Sequence, residues 1–435
     1  MTTIHLRNLD IVTLDEQGTI YRQADLVIAD GRITHLGQVP DTLQADEIID
    51  ASGRVALPGL VNAHCHSPMT LLRGWAEDMY FPEWLPKVWR AENQLTAPDI
   101  YWGAALAACE MIRTGTIAFN DMYFFMDRVA EVVSESGMKA ALTWGFFDPG
   151  DGTSVGPALE QTIEWIKATH ARGSSRIKTY LGPHSPYTCS QTTLERVVKI
   201  AHDLGQGIHL HLSESQEQVD QSLERYGLRP VQHLNSIGVF GVPGGCVAAH
   251  TIYVDGQDIE ILAEKGVHVP HCPITYMKLA MPFFSLQANL QAGVKMCLGT
   301  DGPASNADMD MFAVIRQTAL TQKLLQVDPT MMPGDTVLRL ATQAGARALG
   351  FADSGALKVG VPADLILVNL DVPHMRPVHN LIANLIHSAK GSDVTDVMVD
   401  GQWLMRNREL KTLDEDQILY EVETRAKALV ERVKQ

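Results

Sequence analysis

Leu57-Pro58-Gly59-Leu60-Val61-Asn62-Ala63-His64-Cys65-His66 is an apolar run that climbs to two histidines one residue apart, and the chain then breaks at Pro68. Side chains alternate faces along a strand, so residues i and i+2 point the same way. His64 and His66 are therefore predicted to project together from the end of a buried strand, about 6–7 Å apart along it. Two neutral imidazoles on one side are half of a metal site. Taken alone the spacing is weak, because two unrelated polar residues at a strand end would look the same. The rest of the chain decides the matter.

Beyond this strand the texture alternates. Strand-like apolar runs recur at 116–122, 140–147, 177–182, 207–212, 246–254, 267–270 and 294–299. Helix-period segments lie between most of them, clearest at 98–113, 128–136, 158–170, 191–204, 257–265 and 284–291. With the opening strand this makes eight strands, each followed by helical sequence, which is the arithmetic of a (β/α)8 TIM barrel. An open doubly wound sheet is the alternative, but the glycine-rich phosphate loop expected after its first strand is absent.

The two chain ends read differently. Residues 1–57 are short strands, at 4–6, 11–14, 25–28, 32–36, 47–50 and 54–56, with turns at Gly18 and Asp30-Gly31. After one or two helices that include 336–349, strand texture returns at 364–370, 394–399 and 402–405, and a charged helix closes at 416–433. Neither end has enough strands for a domain of its own. The sequence therefore predicts a small composite β-sandwich built from residues 1–57 and 362–435, attached to a barrel over 58–361.

Composition excludes several partners. A formal charge of −16 argues against nucleic acid and against an anionic membrane surface. No stretch reaches the ~18 apolar residues of a membrane span, and no apolar signal region follows Met1. The six cysteines show no paired spacing, which fits reduced thiols and a cytoplasmic location.

The predicted strand ends carry the chemistry. The first ends in His64 and His66, the fourth in Gly182-Pro183-His184-Ser185-Pro186, and the fifth in His209-Leu210-His211-Leu212-Ser213-Glu214. The sixth ends in His250 and the eighth in Thr300-Asp301-Gly302. A barrel places its active site at these C-terminal ends. Three histidines and an aspartate suit one divalent ion, zinc first, with iron or manganese as alternatives. Such an ion lowers the pKa of bound water from about 15.7 toward about 7. Glu214, three residues past His211, is the candidate to move protons, against the plainer role of capping the helix that follows. His250 is a candidate catalytic residue, the alternative being a buried histidine bonded to a carbonyl. His209 sits two residues deeper than His211 and is expected to be a packed, hydrogen-bonded core residue; His271 is left open. Cys65 should face away from the metal. A bridging lysine for a second ion is excluded by distance, because Lys178 lies six residues before His184, roughly 20 Å down an extended strand.

Together these residues resemble the amidohydrolase superfamily, and in particular the 5-methylthioadenosine/S-adenosylhomocysteine deaminases. The matching stretches include Leu57–His66, Leu71-Leu72-Arg73-Gly74, Glu110–Thr116, Asp121-Met122-Tyr123, His211–Glu214, Leu298–Gly302 and Gly360–Leu365. The resemblance implies that His64, His66, His211 and Asp301 bind the metal, that Glu214 shuttles protons and that His250 holds the attacking hydroxide. It implies further that His184 contacts the substrate and Glu92 binds ribose hydroxyls. A small-molecule nucleoside substrate and a homodimer are expected on the same ground. Two departures stand out: Thr275-Tyr276 precede Met277-Lys278-Leu279 where Ser-Asn is frequent, and no Lys or Arg occurs between Lys139 and Lys167. Relatives that hold the amino-acid tail of S-adenosylhomocysteine carry arginines in that second region. Here Trp144, Phe146 and Phe147 follow the third strand, with Met122, Tyr123 and Phe124 after the second. Trp144 is accordingly expected to bind substrate in an apolar wall suited to a methylthio group. The expected function is hydrolytic deamination of adenine nucleosides, 5′-methylthioadenosine preferred, with a triazine, guanine or pterin aminohydrolase as the alternative. A catalytically dead scaffold is disfavoured because every ligand position of the single-metal pattern is filled.

Overall fold

The computed structural model describes residues 2–39 and 43–434. The chain begins with β1 (Thr3–Val12), β2 (Ile20–Ala29), β3 (Arg32–Gly37), β4 (Glu47–Asp50) and β5 (Arg54–Pro58). The two short strands expected at 4–6 and 11–14 are one strand, β1, which bends instead of ending. Asn8 adopts φ 62° in its middle, and the pairing with β2 shifts register beside it. A bulge thus absorbs the polar Arg7-Asn8 interruption that looked like a strand break.

Parallel strands separated by helices follow: β6 (Leu60–Cys65), β7 (Thr116–Tyr123), β8 (Lys139–Phe146), β9 (Ile177–Pro183) and β10 (Gly207–Leu212). The series ends with β11 (Cys246–His250), β12 (His268–His271) and β13 (Lys295–Leu298). Among the described residues these eight lie side by side in sequence order, β6 at one edge and β13 at the other. The two edges meet at their C-terminal ends. The Asp301 amide donates to the His64 carbonyl at 3.0 Å, while Asn62 accepts from the Thr300 amide at 2.9 Å and donates to the Thr300 hydroxyl at 2.7 Å. Gly299 allows this approach, since a Cβ there would stand 2.8 Å from the His64 carbonyl oxygen. The result is the (β/α)8 barrel that the alternation predicts. Its helices fall near the expected places, among them Ala97–Arg113, Leu159–Ala171 and Gln191–Leu204. Three that periodicity did not single out are Phe81–Glu92, Gln216–Tyr226 and Met311–Gln326.

The chain then returns to its start through β14 (Leu365–Asn369), β15 (Val394–Val399), β16 (Gln402–Arg406) and β17 (Glu409–Leu410). β14 pairs antiparallel with β5, so strands from both chain ends form one sheet in the order β17-β16-β15-β14-β5-β1-β2-β3, with β4 on β1. Alternation divides its two faces. Ala56, Leu365 and Leu367 join Leu6, Leu26, Ile28 and Ile33 in a core of their own. Val55, Leu57, Ile366 and Val368 face the barrel core. The sheet curls until its far turns touch: a Cβ on Gly31 would lie 2.5 Å from the Asp400 carbonyl oxygen. The closing helix, Glu415–Lys434, lies against the Ala97–Arg113 helix, with Arg425 and Arg432 both reaching the buried Asp99 carboxylate.

One buried cluster ties barrel to sheet. Lys139, at the start of β8, places Nζ 2.5 Å from Asp364, 2.8 Å from Asp400 and 3.3 Å from the Ser354 hydroxyl. Removing one partner of a buried ion pair strands the other charge and typically costs about 3–5 kcal/mol. Lys139→Met is therefore expected to lose that much stability, measured by urea unfolding, whereas a change below 1 kcal/mol would show that the pair is replaceable by packing.

Candidate metal centre and active site

The barrel brings its C-terminal strand ends together over a cleft of about 700 Å³. His64 and His66 leave β6 with ring centroids 4.9 Å apart, and His211 from β10 lies 5.0 Å from His64 and 5.3 Å from His66. Asp301, just past β13, sets Oδ1 3.6 Å from His64 Nε2 and 3.2 Å from His66 Nε2. Asp301 holds φ 67°, and His250 and Ser213 hold 70° and 48°, left-handed conformations that cost energy in residues with side chains. The hydrogen bonds around them fix these strained turns. The Asp301 carboxylate accepts from the Gly302 amide at 2.8 Å and the Ser305 hydroxyl at 3.0 Å.

Each of the three rings is tied at Nδ1. His66 Nδ1 is 2.6 Å from the Met122 carbonyl oxygen, His211 Nδ1 is 3.0 Å from the His184 carbonyl oxygen, and His64 Nδ1 is 3.0 Å from His209 Nε2. A carbonyl only accepts, so His66 and His211 must carry hydrogen on Nδ1. Their Nε2 lone pairs then confront each other at 3.3 Å. That spacing needs either an extra proton on one ring or a cation between them. His64 Nε2 is likewise buried and without a hydrogen-bond partner. Among the described residues two overlapping triads, His64-His66-Asp301 and His64-His211-His250, bring their donor atoms together, a set that suits a divalent metal, and outer partners on the opposite nitrogens are the usual support of such ligands. The residues present fit the ion.

Glu214 lies on the rim of this cluster, and the structure separates it from the capping role. Ser215 caps the Gln216–Tyr226 helix by accepting from the Gln218 amide, so the Glu214 side chain is free to face the cleft. Its carboxyl is pushed up to about 8, chiefly by burial and then by the Asp301 charge. His250 Nε2 stands 3.6 Å from Glu214 Oε1, and burial lowers the His250 pKa to about 4, which keeps that imidazole neutral. His184 turns toward Ser185 and Thr188 through Nδ1, packs against the Phe147 ring at 4.4 Å with the planes tilted by 59°, and lines the cleft. Glu92 also lines it; burial raises its carboxyl above the usual range, with the Tyr123 phenol and His66 acting in the opposite sense. Cys65 points away from the cluster, 3.8 Å from Asp121, and Lys178 sits at the far end of β9 with Nζ 5.8 Å over Phe351. His271 is buried in an aromatic nest of Tyr276, Phe283 and Phe284.

Trp144 is not brought into this cleft. Alternation along β8 points Thr143 and Gly145 inward and Trp144 outward, where its ring meets Trp165 edge-on at 5.6 Å. It borders a neighbouring cleft of about 740 Å³ with Glu92, Phe124 and Val155 instead. The wall facing the metal-ligand cluster combines Met122, Tyr123, Phe124 and Phe147, which the sequence singles out, with one face of the Phe81–Glu92 helix. Phe81, Trp84, Leu85, Val88, Trp89 and Glu92 recur at helical spacing along one face of the Phe81–Glu92 helix, and all line the cleft. That i, i+3, i+4, i+7 stripe was the available signal; Pro82 and Pro86 obscured it. Tyr187, after β9, is a further lining residue that no spacing marked.

A family model described as "Amidohydrolase family" matches residues 55–404. A 5-methylthioadenosine/S-adenosylhomocysteine deaminase of Dictyoglomus thermophilum is 48% identical over 388 residues, 89% of this chain and 90% of the relative. A 5′-deoxyadenosine deaminase of Methanosarcina mazei is 42% identical over 434 residues, covering 100% of both chains. Among solved structures, an adenosine deaminase from Xanthomonas campestris with bound zinc superimposes with a TM-score of 0.92 at 32% identity, covering 100% of this chain and 99% of that one. Matched along nearly its whole length, the chain belongs to the amidohydrolase family, in its 5-methylthioadenosine/S-adenosylhomocysteine deaminase branch.

Proposed function

We propose that this protein is a single-metal hydrolase that deaminates 6-aminopurine nucleosides, with 5′-methylthioadenosine its preferred substrate. The carrying observation is the Glu214 carboxyl 3.6 Å from neutral His250, in a cleft where two overlapping triads, His64-His66-Asp301 and His64-His211-His250, bring their donor atoms together. His64, His66, His211 and Asp301 would hold one divalent ion, zinc first, with iron or manganese able to replace it. Bound there, it would lower the pKa of water enough to supply the nucleophile near neutral pH. Glu214 would take one proton from that water and pass it to purine N1, where it stays, and would then carry the remaining proton of the added oxygen to the amino group, so that the amine leaves as ammonia and C6 keeps the oxygen as a carbonyl. His250 donates or accepts at the nucleophilic oxygen and orients it toward C6. His184 contacts the purine, and Glu92 receives the ribose hydroxyls, whose hydrogen bonds repay the burial of its carboxyl.

The 5′ end is where substrates are told apart. Phe124, Phe147 and Trp89 line the cleft and continue into an adjoining cavity of about 710 Å³ with Pro149 and Val155. Among the described residues, no lysine or arginine lines either space. A carboxylate buried there would lack the guanidinium fork that such groups need. An apolar methylthio group gains burial and sulfur–aromatic contact worth about 0.3–1.5 kcal/mol. The relative named a 5′-deoxyadenosine deaminase supports an uncharged 5′ group, whereas the relative named a 5-methylthioadenosine/S-adenosylhomocysteine deaminase carries a charged and an uncharged one in its name alike.

Steady-state assays with 5′-methylthioadenosine, 5′-deoxyadenosine, adenosine and S-adenosylhomocysteine test this. S-adenosylhomocysteine is expected to be poorer than 5′-methylthioadenosine by at least about tenfold in kcat/KM, or about 1.4 kcal/mol. Equal or better turnover of S-adenosylhomocysteine would overturn the 5′ assignment. The six cysteines are free and buried, and no helix among the described residues is long and apolar enough to cross a membrane. Reduced thiols support a cytoplasmic location.

A further inference from the structure

We propose that His209, which lies outside the ligand set, is the positioning residue of the metal centre and acts by fixing the tautomer and orientation of His64. The proposal rests on the reading of His64 as a ligand.

His209 occupies the inward face of β10, two residues below His211, and is fully buried. Both of its ring nitrogens are engaged: Nε2 lies 3.0 Å from His64 Nδ1, and Nδ1 lies 3.1 Å from the Thr143 hydroxyl. The two imidazoles stand edge to face, with ring centroids 5.1 Å apart and planes at 86°. His66 and His211 rest on backbone carbonyls, which no substitution of a side chain removes. His64 is the only one of the three ring ligands whose outer hydrogen bond goes to a side chain.

The proton positions along this chain follow from one constraint. His64 Nε2 is buried and without a partner, and it can serve as a ligand only if its lone pair is free. His64 must then carry its hydrogen on Nδ1 and donate it to His209 Nε2. His209 in turn carries hydrogen on Nδ1 and donates to the Thr143 oxygen. One tautomer of each ring satisfies the whole row, and the opposite tautomers would put a hydrogen on the nitrogen that faces the metal. A neutral imidazole thus stands where outer-shell support is commonly a carboxylate.

The row makes different demands on different substitutions. His209→Leu leaves the His64 Nδ1 hydrogen without an acceptor. His209→Gln offers an amide oxygen in its place. Loss of an outer-shell partner typically weakens a metal site by about 10–100-fold. The experiment is chelator competition for zinc, read as a dissociation constant, on wild type, His209→Leu, His209→Gln and His64→Ala, with thermal unfolding of each metal-free protein alongside. His209→Leu is expected to bind zinc about 10–100-fold more weakly, and His209→Gln to recover most of that loss. Thr143→Val, one link further out, should cost less than His209→Leu. Wild-type zinc affinity in His209→Leu, or equal losses in the Leu and Gln variants at matched metal-free unfolding temperatures, would overturn the proposal. If His64→Ala binds zinc as tightly as wild type, the ligand set itself fails, which is a separate outcome. Should His209→Leu not fold, the comparison of His209→Gln with Thr143→Val decides: the glutamine variant must bind zinc within about tenfold of wild type, and a larger loss overturns the tautomer argument.

Discussion

Glu214→Gln is expected to bind metal as the wild type does and to lose about 10²–10⁴-fold in kcat, the usual worth of a positioned proton-transfer group. The substitution keeps the shape of the side chain and removes only its capacity to carry a proton. The backbone at this position is held independently, because the Glu214 amide donates to Gln218 Oε1 at 2.9 Å and Ser215 caps the next helix. Glutamine can therefore occupy the same place. Stopped ammonia release with full metal content identifies the carboxyl as the proton shuttle. Unchanged ammonia release would remove Glu214 from the mechanism.

His66→Ala should have an effect of the same order through a different route. It deletes one donor of the His64-His66-Asp301 triad and the partner that faces both His211 Nε2 at 3.3 Å and Asp301 Oδ1 at 3.2 Å. Metal affinity should fall by more than the ~10–100-fold attached to outer-shell residues, and turnover should fall with it. The same change shows in stability. A ligand present at 100 times its dissociation constant stabilises the folded state by about 2.7 kcal/mol, so chelation should lower the unfolding temperature of wild type but not of His66→Ala. Retained stoichiometric metal in the variant would contradict the ligand assignment.

Much of this arrangement was legible in the chain because barrel strands carry their chemistry at fixed places. The apolar run before each of His64, His211, His250 and Asp301 gave the strand, and the polar residue that broke the run marked its C-terminal end. The union of both chain ends in one sheet was legible for a simpler reason, since neither end holds enough strands to close alone. Less local features were hidden. The bend in β1 is a backbone event at Asn8, where a bulge keeps paired a strand that polar residues divide. The Phe81–Glu92 helix carries an apolar stripe along the cleft wall that its two prolines interrupt in the sequence; Pro82 sits in the first turn, where a missing N–H costs nothing. Trp144 shows the limit of reading aromatics by neighbourhood. Being close to the site in sequence decides little when alternation sends residue 144 outward and residues 143 and 145 inward. His209 was legible as a bonded core residue, whereas its partner is set by the crossing of β6 and β10 over the barrel axis, a tertiary fact that no local spacing carries.

The central claim is that one metal, held by His64, His66, His211 and Asp301, serves the hydrolysis of a 6-aminopurine nucleoside. Metal content and ammonia release from 5′-methylthioadenosine, measured on the same preparation before chelation, after chelation and after zinc is restored, test it most directly. The account predicts about one metal per chain, one ammonia for each 5′-methylthioinosine formed, loss of both metal and turnover on chelation, and recovery of both with zinc. A preparation holding one metal per chain that releases no ammonia from 5′-methylthioadenosine, 5′-deoxyadenosine or adenosine would contradict it.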